Sequence, residues 1–482
     1  MVTFIDLDKA DDPLLKPHVS SLGYVWFDPD GTWHAFRPGT GFRMTSDGSI
    51  RDLEPGLWVS NLGYERAQVV AKAASHVILR SDEWLKMVSA QILGALGVEG
   101  VDGRKSGQVM SIIADRVYRL SQDVIRLRNP DPKSVSAVVK RIERAPSLAT
   151  GLQNIHHEEM ARTRPSEKRT LDVLEMTYQH GMYCFGRKKP ADGHVNLSFH
   201  FPRLSYALEI CAAQVPDRAV WQIGSRDEGT TSRDFLSEIE ALNRPAIYRA
   251  THAHGPGMGE HVEAFVDSSR KSGSYRSLFL AEEIRHLMRC VDVTIESVVA
   301  GGGWRDSGTG GVLQLLVQAC GGMEVATRSW SAALLAENIL ASTFRRVQSD
   351  KGGRLVESVW LAARDRARML PVISDFYDIG ATLVSAQLGN IVIQCPQDPE
   401  MLMLVLDTAW RKGLVLPASE AAMMSRFGVT PPNCRSSFGG LEADYILAAI
   451  AQGGRSRALL TLDTVLDVEP PQRAGKLRQL LS

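Results

Sequence analysis

Residues 194–250, HVNLSFHFPRLSYALEICAAQVPDRAVWQIGSRDEGTTSRDFLSEIEALNRPAIYRA, change character several times within one short stretch. HVNLSFHF alternates apolar and polar residues, the period of a half-buried strand. RLSYALEICAAQ repeats its apolar residues at three- and four-residue spacing, the period of a helix face. RAVWQIG is strand-like again, SRDFLSEIEALN is helical and AIYRA is a strand. Strand, helix, strand, helix, strand predicts a small parallel α/β unit, which we place at residues 191–270.

The flanking sequence differs on both sides. Towards the N-terminus, GYVWF, TWHAF and GFRMT are short aromatic or β-branched runs separated by DPDG, RPGTG and SDGS. Those turn signals predict a β-rich segment over residues 1–62, a meander or a pair of hairpins. From Tyr64 the period becomes helical, in YERAQVVAKAASHVIL, DEWLKMVSAQILGAL, GQVMSIIADRVYRLSQDVIRL and KSVSAVVKRIERA. Residues 63–190 are therefore expected to form a helical domain. Beyond 271 helices resume, with SLFLAEEIRHLMRCVDVTIESVVA, WSAALLAENILASTFRRV, ESVWLAARDRARML and EADYILAAIAQ. IVIQC is one short strand inside that C-terminal helical domain, residues 271–482. KKPADG at 188–193 and GGGWRDSGTGG at 301–311 are the expected joints. The fold class expected is α+β, predominantly α-helical.

A chain of 482 residues exceeds one ordinary core, so several domains are expected. The longest apolar run, MLMLVLDTAW, is broken by Asp407 and followed by Arg411 and Lys412, which argues against a membrane span. The N-terminus lacks a basic segment followed by an apolar one, so no secretory signal is read and an intracellular or virion location is expected. The six cysteines contain no CxxC pair and read as buried reduced thiols.

Net charge is zero, yet the charge is uneven. Residues 104–189 hold seventeen Lys or Arg against nine Asp or Glu, about +8, whereas residues 1–60 hold five against nine, about −4. The basic stretch contains Arg162, Arg164, Lys168 and Arg169 in RTRPSEKR, then Arg187, Lys188 and Lys189 in FGRKKP. Basic loops beside helices follow a phosphate backbone without reading bases. Tyr118, Tyr178, Tyr183 and Phe185 lie among them as stacking candidates. A solvated helical face, or one docked against the acidic start, would carry the same pattern.

THAHGPGMGEH, residues 251–261, follows the last strand of the α/β unit and holds His252, His254 and His261. Strand ends are where ligands gather in α/β units, and three imidazoles would suit zinc or iron. THAH resembles the opening of the metallo-β-lactamase signature and of the amidohydrolase family, both of which imply further ligands later in the chain. Here GPGMG replaces the expected aspartate and third histidine. The last of the twelve histidines is His286, so neither ligand set is completed. The competing reading is a polar loop, and no metal or cofactor is assigned.

Glu283 and His286 in EEIRH are spaced as in di-iron helical bundles, but no second Glu-x-x-His exists and a helix-surface ion pair fits better. GGGWRDSGTGG precedes a helix and reads either as a phosphate-cradling loop or as a packing-constrained connector. No GxxxxGK[ST], GxSxG or HExxH is present. The absence of a catalytic constellation leans away from an enzyme. By elimination, the sequence points to a self-assembling structural protein that coats or encloses RNA or other nucleic acid, a capsid or nucleocapsid-type subunit forming a homo-oligomer or larger assembly, with sequence-independent contact through residues 104–189. The alternative is a metal-dependent hydrolase-like enzyme using His252, His254 and His261.

Overall fold

The fold is that of a computed structural model. It describes residues 23–27, 31–37, 42–62, 64–81, 120, 123–128, 177, 181–184, 189–212, 214–217, 222–252, 258–266, 276–323, 326, 330–345, 356–416, 423–424 and 426–429. Most of the expected helical domain at 63–190 lies outside the described residues, as does EADYILAAIAQ.

The N-terminal meander forms as the aromatic runs suggest. Strands β1 (Gly23–Phe27), β2 (Trp33–Arg37) and β3 (Phe42–Ser46) pair antiparallel in succession. Strand β4 (Gly56–Ser60) joins β1 in parallel, and β5 (Val77–Ser81) joins β4 in parallel after helix α1 (Tyr64–Ala71). The helix expected over residues 64–79 therefore ends early, and its last apolar residues become a sheet edge. Val25, Trp33, Trp58, Val77 and Leu79 form the core of this sheet. Arg37 is buried there, stacked 4.3 Å over the Trp58 ring and paired with Glu54 at 3.1 Å.

The strands of residues 194–250 form, but the parallel unit does not. Strand β6 (Met182–Tyr183) borders a sheet that ends on β7 (His194–His200). Helix α2 (Arg203–Ala212), β8 (Val215–Pro216), β9 (Gln222–Ser225), α3 (Ser232–Ala241) and β10 (Ala246–His252) follow in chain order. Then come α4 (Glu260–Val266), β11 (Leu278–Leu280), α5 (Ala281–Cys290), β12 (Val293–Ala300), β13 (Trp304–Arg305), α6 (Gly308–Ala319), α7 (Trp330–Arg345) and α8 (Val356–Asp378). Strands β14 (Thr382–Gln387) and β15 (Asn390–Pro396) make a hairpin before α9 (Pro399–Arg411). β7 pairs antiparallel with β15 along its whole length, in a sheet ordered β6-β14-β15-β7. β10 lies between β11 and β12, antiparallel to both, in a second sheet ordered β11-β10-β12-β9. Distant hairpin partners outcompete the neighbouring strands.

SLFLAEEIRHLMRCVDVTIESVVA, expected as one helix, is strand β11, helix α5 and strand β12. The β-branched run VDVTIESVV suits a pleated surface better than a helix. With β11 to β15 in place, residues 271–482 are not purely helical, and the mixed α+β class is what stands.

Helix α8 is the hub. Seventeen of its residues are buried, so it carries no solvent stripe and is embedded among α4, α5, α7, β8 and β14. It continues through Pro371 despite the lost backbone donor. Phe199 of β7 stacks on its Phe376 at 5.6 Å. The described cysteines are free thiols, and Cys290 is exposed rather than buried. No helix among the described residues is long and apolar enough to cross a membrane.

Candidate functional site

Two helices frame a groove lined by charged side chains. α5 starts directly after β11, and the Glu283 side chain bends back to accept the Leu280 amide at 3.0 Å. Glu283, Ile284 and Leu287 face the core. Glu282, Arg285, His286 and Arg289, at three- and four-residue spacing, line the opposite side. α8 answers with Arg364, Ala367 and Arg368, and α2 with Glu209 and Ile210. Together they enclose a groove of about 390 Å³.

A buried ion cluster fixes the two helices. Glu283 Oε1 accepts from Arg276 at 3.0 Å and from Arg366 of α8 at 2.6 Å, and all three side chains are fully buried. Burial alone would raise the Glu283 pKa, but the two guanidiniums and the Leu280 amide outweigh it and hold the carboxyl below its ordinary value. Glu283 is thus no surface ion-pair residue, as EEIRH suggested, but the bolt between α5 and α8.

Four arginines against two glutamates leave the groove net positive. Arg368 donates to Glu209 at 2.6 Å and stacks 4.8 Å over Phe201. Arg285 pairs with Glu240 at 2.6 Å. Arg364 is only 9% exposed; its Nη2 donates to the Gln214 carbonyl at 2.7 Å and its Nε to Glu282 at 3.4 Å. Its Nη1 is buried with no hydrogen-bond partner among the described residues. His286 Nδ1 is likewise buried and unpartnered. Burial pushes the His286 pKa down, and Arg289, Arg285 and Arg368 push it further, so the ring is neutral near pH 7.

A smaller chamber of about 170 Å³ adjoins the groove and shares Glu282, Arg285 and Arg364 with it. Tyr248, Trp304, Trp360 and Asn243 line its far side. Trp304 and Trp360 meet edge to face, with centroids 6.4 Å apart. The Tyr248 hydroxyl is buried with no partner among the described residues, and burial, reinforced by Glu240, raises its pKa far enough that it stays a donor.

The residues singled out by sequence lie elsewhere. Arg162, Arg164, Lys168, Arg169, Arg187, Lys188 and His254 are outside the described residues, as are Tyr118, Tyr178 and Phe185. Lys189 is exposed ahead of β7. Tyr183 is structural, donating its hydroxyl to Gln387 across the β6–β14 pair. His252 ends β10 and sits edge-on to Phe279 at 6.1 Å, while His261 in α4 packs against Tyr377 at 4.5 Å. Both are buried, and no group of three potential metal ligands occurs among the described residues. GGGWRDSGTGG proves to be a packed connector: the N-terminus of α6 is already filled by Glu357 of α8. That carboxylate accepts from the Ser307 hydroxyl at 2.8 Å, the Thr309 amide at 2.9 Å and Arg305 at 3.2 Å.

The groove itself was missed because its arginines come from helices some eighty residues apart. Its only signal in the sequence is local: Arg285 and Arg289 share one helix face, as do Arg364 and Arg368.

No protein-family profile and no curated protein sequence matches the chain. Solved structures similar to it include Phi29 DNA polymerase with primer-template DNA, at 8% identity and TM-score 0.43, covering 77% of this chain and 79% of that one. Phi29 DNA polymerase with single-stranded DNA is similar at 7% identity and TM-score 0.39, covering 77% and 79%. These neighbours are DNA polymerases, not virion subunits, and with that finding the self-assembling capsid or nucleocapsid expectation is withdrawn. A likeness this remote transfers no activity.

Proposed function

We propose that this protein binds nucleic acid and that the groove between α5 and α8 is a phosphate-contacting surface. One observation carries the reading: Arg285, Arg289, Arg364 and Arg368 line one groove, and the buried Nη1 of Arg364 has no hydrogen-bond partner among the described residues. Guanidinium is the group best shaped for phosphate oxygens. Contact of this kind positions a strand without reading its sequence. Arg162, Arg164, Lys168, Arg169, Arg187, Lys188 and Lys189 are proposed as a further phosphate-contacting set.

The test is fluorescence anisotropy of a labelled 20-nucleotide strand against the protein over 50–300 mM salt. The variant combines Arg285→Gln, Arg289→Gln and Arg368→Gln, three partly exposed positions. Binding should weaken at least tenfold, with the log–log salt slope falling by about 0.7 for each phosphate that is no longer neutralised. Unchanged affinity and slope would remove the groove from the contact surface.

A further inference from the structure

The groove explains where phosphates lie but not why an aromatic chamber opens from it. We infer that this chamber receives one unstacked base of a single strand whose phosphates run along the groove, an inference that rests on the groove reading above.

At about 170 Å³ the chamber is smaller than the ~300–1,000 Å³ of small-molecule sites. It therefore has room for one small group rather than a whole ligand. Trp304 and Trp360 supply aromatic surface, which stacks on any base regardless of identity. Tyr248 and Arg364 both line the chamber, and the Tyr248 hydroxyl and Arg364 Nη1 are buried donors with no partner among the described residues. A purely apolar guest would leave both unsatisfied, whereas the carbonyl oxygens and ring nitrogens of a base, with the phosphate beside it, satisfy both. Asn243, held at φ 49 beside the chamber, adds an amide that both donates and accepts. Arg364 and Arg285 belong to chamber and groove alike, so a base in one places its phosphate at the other. In a duplex the bases stay stacked and paired, so the pairing of chamber and groove favours single strands.

The experiment compares four labelled 12-mers by anisotropy at fixed salt: thymidine DNA, uridine RNA, an abasic sugar–phosphate strand of equal charge, and a DNA duplex. The protein should bind the two base-bearing strands at least fivefold tighter than the abasic strand or the duplex. Trp304→Ala should weaken binding of base-bearing strands roughly 5- to 150-fold, the range for removing one stacking side chain, and leave the abasic strand unaffected. Trp304→Phe should restore most of that affinity, and Tyr248→Phe should weaken binding less without changing chamber volume. The DNA and RNA arms distinguish which strand is preferred. Equal binding of abasic and base-bearing strands by the unaltered protein overturns the chamber inference while leaving the groove reading intact. Failure to bind any of the four overturns both.

Discussion

Asp365 of α8 holds Gly389 at the tip of the β14–β15 hairpin: its Oδ1 accepts the Gly389 amide at 3.0 Å. Its Oδ2 accepts the Leu388 amide at 2.8 Å, and the Tyr206 hydroxyl of α2 donates to Oδ1 at 2.5 Å. Leu388 and Gly389 have φ of 53° and 70°, so both turn residues are left-handed. A leucine in that region is strained, and the carboxylate on its amide is what retains it.

Burial raises the Asp365 pKa from 3.8 to about 6, against the opposing pull of Tyr206, the two turn amides and Arg366. As pH falls through 6 the folded protein takes up this proton, whereas the unfolded chain waits until about 3.9. Between those values the folded state binds more protons, so this residue makes stability rise as pH falls from 6 to 4. The change amounts to roughly 3 kcal/mol. Asp365→Asn should flatten that component, measured by urea unfolding at pH 4.5, 5.5 and 6.5. An identical slope in both proteins would show that Asp365 does not titrate there.

Gly389→Ala should destabilise by more than about 1 kcal/mol. Two causes add: the positive φ, and a new Cβ that would sit 2.7 Å from the Tyr206 ring. Thermal unfolding checks it, and a Tm within a degree of the unaltered protein would contradict the packing described.

Arg366→Met should cost about 3–5 kcal/mol, since it leaves Glu283 buried with half its counter-charge. Chemical denaturation at pH 7 measures the loss. The Glu283 pKa is held low, so the stability it contributes is present above its unfolded pKa and disappears as pH falls through the folded value. The variant should lose that acid-side dependence along with its stability.

His286 should titrate below its ordinary value of 6.5 in the free protein, because burial and three guanidiniums disfavour the imidazolium. Adding pyrophosphate or a short strand places negative charge beside the ring and should raise that pKa. NMR titration of the His286 ring protons gives both values. The same linkage makes strand affinity increase as pH falls from the raised bound-state pKa to the lower free-state pKa and level off below it, and a pKa unmoved by ligand would place the anion elsewhere.

Some of this architecture was readable from sequence and some was not. GYVWF, TWHAF and GFRMT announced an antiparallel meander because turn residues and strand residues alternate within a few positions. ESVWLAARDRARML announced a helix through its period. Pairing was not announced: β7 finds β15 nearly two hundred residues away, and no local pattern in HVNLSFH specifies that partner. Charge totals also misdirected attention. Arg276, Arg366 and Glu283 are as charged on paper as any surface residue, yet they sit in the core, and the groove arginines are too few per segment to register as a basic run.

Arg364, Asp365 and Arg366 are consecutive, so their side chains leave α8 about 100° apart. One reaches the groove, one the hairpin tip and one the bolt to α5. Helix α8 is thus an axle keyed in three directions, its three consecutive side chains tying the groove, the hairpin tip and α5 to one element.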